Sequence, residues 1–104
     1  MVRLVREVVM TVRERRFRNG VESSGYQFMG EDNGLYKARL ELPGKFFVHV
    51  KTVLKTSPAL SMYVVLACPT GERIRMEAYT SQFRTATRWA VREADWWKRD
   101  RGLT

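Results

Sequence analysis

The sequence predicts an α+β domain, an antiparallel sheet of about five to six strands with one long C-terminal amphipathic helix packed on one face. From Leu35 to Tyr79 apolar and polar residues alternate with the period of a strand, interrupted by turns that carry Pro or Gly. From Thr80 to Gly102 the period becomes helical, with neither Pro nor Gly between Ser81 and Arg101. Strands first and helix last favour hairpin connections over helical crossovers, and hence an antiparallel sheet.

Met1 to Arg18 is expected to be extended. Val2, Leu4, Val8, Met10 and Val12 alternate with mostly polar neighbours, and the stretch holds five Val and a Thr, residues that suit a pleated surface. Leu4, Val5, Val8, Val9 and Val12 also fit a helix, so the β-branched content tips the balance to strand. Asn19-Gly20 then predicts a hairpin folding Phe17-Arg18 back on Val21-Glu22. In the helical alternative the same dipeptide is a C-cap. A short strand over Tyr26–Met29 and a turn at Gly30–Gly34 follow.

Tyr36, Ala38, Leu40 and Leu42 face the core of the next strand, with Lys37, Arg39 and Glu41 outward. After Pro43-Gly44, the strand from Phe46 to Leu54 buries Phe46, Val48, Val50, Thr52 and Leu54. Thr56-Ser57-Pro58 breaks it. Met62 to Cys68 is apolar on both faces, as in a central strand. Beyond Pro69-Thr70-Gly71, Ile74, Met76 and Ala78 alternate with Arg73, Arg75, Glu77 and Tyr79. In the helix, Phe83, Ala86, Ala90, Ala94 and Trp97 share a narrow sector and predict the buried face. Thr80 or Ser81 is the expected N-cap and Gly102 the residue just past the last turn.

A chain of 104 residues with 44% hydrophobic content builds one domain with one core. No apolar run approaches the ~20 residues that span a bilayer, and the first residues lack a signal-peptide pattern, so the cytoplasm is the expected location. The single Cys68 and single His49 supply no metal-ligand set and no disulfide. Neither a nucleophilic triad, a carboxylate pair nor a glycine-rich phosphate loop is recognisable, so no enzyme activity, metal or cofactor is expected.

The charge is the strongest functional signal. Nineteen basic residues against eleven acidic give +8, and Arg outnumbers Lys. Such a chain attracts polyanions, and Arg offers a planar fork to phosphate. The sheet's second face is expected to carry Lys37, Arg39, Phe47, His49, Lys51, Lys55, Tyr63, Arg73, Arg75 and Tyr79. Cations for phosphates beside flat rings for bases is the composition of a single-stranded nucleic acid platform. It is also that of an ordinary solvated sheet face. Arg13, Arg15, Arg16 and Arg18 form a basic N-terminal segment. Arg84, Arg88 and Arg92 form a row on the helix with little acidic compensation.

Two functions from different classes are therefore expected. One is a small basic nucleic acid-binding module, for DNA or RNA, that contacts phosphates through these Arg and Lys residues. The alternative is a protein-binding accessory or inhibitor, of the kind a virus encodes to block a host complex. It would use Trp89 and Trp96 at the edge of the helix, ringed by Arg. A homodimer through a sheet edge or the Trp-bearing helix is compatible with both.

Overall fold

The computed structural model describes residues 11–53 and 60–103. In chain order these form helix α1 (Val12–Ser24), strands β1 (Gln27–Asp32), β2 (Leu35–Leu42), β3 (Phe46–Thr52), β4 (Met62–Ala67) and β5 (Arg73–Arg75), and helix α2 (Phe83–Asp100). The strands make one antiparallel sheet in sequential order, β1-β2-β3-β4-β5. Both helices cover the same face of it, α1 over β1 and β2, α2 over β3 and β4. The core lies between these two layers. The α+β class and the C-terminal helix on one sheet face are as expected.

Residues 12–24 correct the N-terminal expectation, being helical where a strand and hairpin were predicted. Thr11 caps the helix by accepting from the Glu14 N–H at 3.0 Å. Arg13, Phe17 and Val21, four residues apart, then fall on one buried stripe. Asn19-Gly20 does not turn the chain. A Cβ on Gly20 would lie 2.5 Å from a ring carbon of Phe83, so the glycine serves close approach of α1 to α2. The chain leaves the helix at Gly25, whose φ of 78° is left-handed and whose N–H bonds to the Val21 carbonyl. The strand expected over Val2 to Met10, and the continuation of the third strand through Leu54 and Lys55 to its break at Thr56-Ser57-Pro58, lie outside the described residues.

The second Asn-Gly does form a hairpin. Asn33 and Gly34, with φ of 55° and 80°, are the two-residue loop between β1 and β2. Buried residues then alternate along β2 and β3 as the sequence implies, while β4 is buried nearly throughout. Thr52 is a buried polar exception whose hydroxyl accepts from the Tyr36 N–H at 2.8 Å.

β5 is shorter than expected, ending at Arg75. Met76 still donates to the Val64 carbonyl, and Thr80 returns to exchange backbone hydrogen bonds with Met62. α2 begins at Phe83, not at Thr80. The Thr80 hydroxyl accepts from the Gln82 N–H at 3.2 Å, and Gln82 takes the N-cap position without a side-chain cap bond.

The buried face of α2 is the predicted one: Phe83, Ala86, Ala90, Ala94 and Trp97. Three Ala side chains let its backbone lie close to β3 and β4. At one end Phe83 joins Phe17 and Tyr26, with ring centroids 5.4 and 5.0 Å away. At the other, Trp97 meets Phe46 edge-on at 5.3 Å. Glu72, in the β4–β5 connection, fastens this end. It accepts from Arg101 Nη2 at 2.6 Å and from Trp97 Nε1 at 3.3 Å, and the Arg101 guanidinium stacks on the Trp97 ring. The Thr70 hydroxyl, then Arg101, hold the Glu72 carboxyl below its ordinary range. Cys68 is buried beside this cluster, and burial pushes its thiol pKa up, as suits an unreactive side chain.

Candidate functional site

Among the described residues no helix covers the second face of the sheet, and strand register lines its side chains up in rows. Lys37, Lys51 and Tyr63 are neighbours across β2, β3 and β4. The next row runs Gln27, Arg39, His49, Val65 and Arg75 across all five strands. The third holds Glu41, Phe47, Ala67 and Arg73. Two residues of rise separate successive rows, about 6.7 Å.

Cations and rings on this face are already in contact. Arg39 reaches diagonally over the Phe47 ring, its guanidinium carbon 5.1 Å from the centroid, and Arg75 lies over Tyr63 in the same way at 5.0 Å. Phe47 and His49 sit 6.5 Å apart, ring to ring. Val65, in the middle row of this face, is 3% exposed and forms its apolar floor. Between the first two rows is a trough of about 280 Å³ lined by Met29, Lys37, His49, Lys51, Tyr63, Val65 and Arg73, among others.

Electrostatics on this face are one-sided. Lys37, Arg39, Lys51, Arg73 and Arg75 meet only Asp32, beside the β1–β2 turn, and Glu41, toward the other end of β2, and no ion pair joins these groups among the described residues. The consequence shows on His49. Partial burial first, then the positive fields of Arg73 and Arg39, push its pKa below the ordinary 6.5. The imidazole lies in the positive fields of two guanidinium groups. Cationic side chains and flat ring surfaces thus lie together on this face.

The other expected site residues are elsewhere. Arg84, Arg88 and Arg92 are exposed on the outward side of α2 and line a wide groove of about 1050 Å³ with Ser23, Ser24 and Thr87. That hollow is larger than the trough, and among the described residues no aromatic side chain lines it. Arg15 is exposed on α1, as is Arg16. Arg18 is engaged, bonded to Glu14 at 2.9 Å and stacked on Phe28 at 4.1 Å. Arg13 departs from the expected basic segment. It is 5% exposed, turned inward by the same stripe that buries Phe17, with its guanidinium 5.8 Å from the Tyr36 ring. It is therefore no surface phosphate contact.

Trp96 is 54% exposed with Arg99 over its ring at 5.5 Å, whereas Trp89 packs partly against the core. Tyr79 is exposed and lies beyond the end of β5, next to Thr80, which bridges to Met62. Lys55 lies outside the described residues. Met29 was not anticipated: a bulge between Phe28 and Gly30 adds it to β1 and brings it to the trough. A glycine inside a strand is the sequence signal for such a bulge, and Gly30 has a φ of 112°.

Among the described residues no group of three His, Cys, Asp or Glu is close enough to hold a metal ion, and no helix is long and apolar enough to cross a membrane. No family model, no curated protein and no solved structure matches the chain.

Proposed function

We propose that this chain is a small non-enzymatic nucleic acid-binding module of the cytoplasm that lays a single-stranded stretch across the open face of its sheet. The observation that supports this is the interleaving, on the sheet face opposite the described helices, of five cations with Phe47, His49 and Tyr63. Lys37, Lys51, Arg39, Arg73 and Arg75 meet phosphates. Bases stack on the rings or on the guanidinium planes of Arg39 and Arg75, which the ring contacts hold flat. Binding energy comes chiefly from counterion release, so it is steeply salt-dependent.

Fluorescence anisotropy with labelled single- and double-stranded DNA and RNA tests the proposal. Single strands should bind most tightly, with log affinity falling linearly in log salt. Replacing Lys37, Lys51 and Arg73 by Ala should reduce that slope by about 2, at roughly 0.7 per lost contact. A slope unchanged in the triple variant contradicts the proposal.

Trp96 favours a second reading, a protein-binding accessory or inhibitor. An exposed indole under an Arg is the residue pair that dominates protein interfaces. On that reading Trp96→Ala lowers affinity for a captured partner by about 2 kcal/mol or more while the fold survives.

A further inference from the structure

Two sets of cations without an acid partner among the described residues lie on opposite faces of this domain. The sheet platform is one. The other is the outward side of α2, where Arg84, Arg88 and Arg92 recur every four residues, opposite the buried stripe of Ala86, Ala90 and Ala94. Arg18 takes Glu14 and Arg101 takes Glu72 as acid partners. Arg84, Arg88 and Arg92 take none among the described residues, even though Asp95 lines the same groove.

A second feature of that groove also suits an anion. Gln82 and Arg84 line it where α2 begins, and the first turn of α2 has no side-chain cap and no acidic residue. Its free N–H groups and the positive end of the helix dipole are therefore uncompensated beside three guanidinium groups. A helix about 10 Å across, together with the sheet, separates this face from the platform, more than the ~8 Å Debye length at physiological salt. A strand on one face does not neutralise the other.

Building on the nucleic acid reading above, we propose that the α2 face is a second phosphate-binding surface and that one molecule bridges two nucleic acid segments. The platform holds a single strand by phosphates and bases. The α2 groove, with no aromatic side chain in its lining, holds a second segment by its phosphates alone and without sequence preference.

Two non-complementary single strands, one carrying a donor dye and one an acceptor, provide the test, with anisotropy on each strand read in parallel. Energy transfer should rise with protein, peak near equivalence and fall in excess protein as each strand acquires its own molecules. The variant Arg84→Gln, Arg88→Gln, Arg92→Gln alters exposed side chains only, and its thermal melt checks the fold. It should abolish transfer while still binding a single strand. Strand binding without transfer at any ratio overturns the bridging proposal and leaves the platform intact, with the α2 face then open to an acidic protein. Transfer that persists in the triple variant also overturns it and assigns bridging to self-association. Absence of binding to any strand removes both readings.

Discussion

Single residues show where packing and charge decide against simple propensity. Gly20 sits inside α1, where Ala is the better helix former by about 1 kcal/mol. A methyl group there would run into the Phe83 ring, itself held by Phe17 and Tyr26. Gly20→Ala should therefore destabilise the protein by a net ~1–2 kcal/mol in urea denaturation, since overpacking outweighs propensity. Arg13 makes the opposite case. Its Nη1 reaches the Gly34 carbonyl at 3.4 Å, but Nε and Nη2 have no partner among the described residues. Arg13→Met should leave stability equal or higher, by up to a few kcal/mol, and should not change affinity for nucleic acid or its salt slope. A loss of slope on that substitution would return Arg13 to the binding surface. His49 gives a sign for pH. Its folded pKa is below 6.5 and its unfolded pKa near that value, so the unfolded chain binds more protons in the window between them. Stability of the free protein should fall as pH drops from 6.5 through the folded pKa, and His49→Gln should remove that part of the fall in pH-dependent denaturation curves.

At the scale of elements, the parts legible in the sequence are those with unbroken periodicity. β2 to β4 and the buried stripe of α2 follow from alternation and from the spacing of Phe83, three Ala and Trp97. α1 was hidden because Val12 and its β-branched neighbours imitate a strand and because Asn19-Gly20 imitates a hairpin. The dipeptide has no fixed meaning: Asn33-Gly34 turns the chain between β1 and β2, whereas Gly20 clears space for Phe83 from another element. Only the tertiary partner separates the two. A local signal did exist in Thr11 and Glu14, spaced as in a capping box. The early end of β5 was less accessible, since Thr80 rather than Ala78 pairs with Met62 and the ladder beyond Arg75 is irregular. The α2 stripe admits a direct check. Ala90 is fully buried against the sheet, so Ala90→Leu should cost about 1–3 kcal/mol, while Trp96→Ala, on the exposed edge of the same helix, should stay within about 0.5 kcal/mol.

At the scale of the molecule, the two described helices lie on one face of the sheet and no described helix lies on the other. The cations of β2, β3 and β5 were readable as a set, because alternation assigns each to one side. Their stacking on Phe47 and Tyr63, the closed floor at Val65 and the bulge that delivers Met29 depend on register between strands, which alternation alone does not fix. Of the cations behind the charge of +8, one set stands beside rings on the sheet and another forms a row on α2 whose groove has no aromatic lining among the described residues. The chain has one histidine, and it lies at the middle of the platform, so its ring protons form a unique NMR reporter there. The most direct measurement is an NMR pH titration of the His49 imidazole with and without a saturating single-stranded oligonucleotide. A phosphate seated among Arg39, Lys51 and Arg73 should raise the His49 pKa from its depressed value and shift its ring resonances, with affinity rising as pH falls. An imidazole whose resonances and pKa are unchanged at saturation would mean that the oligonucleotide binds elsewhere and that the open face of the sheet is not the binding surface.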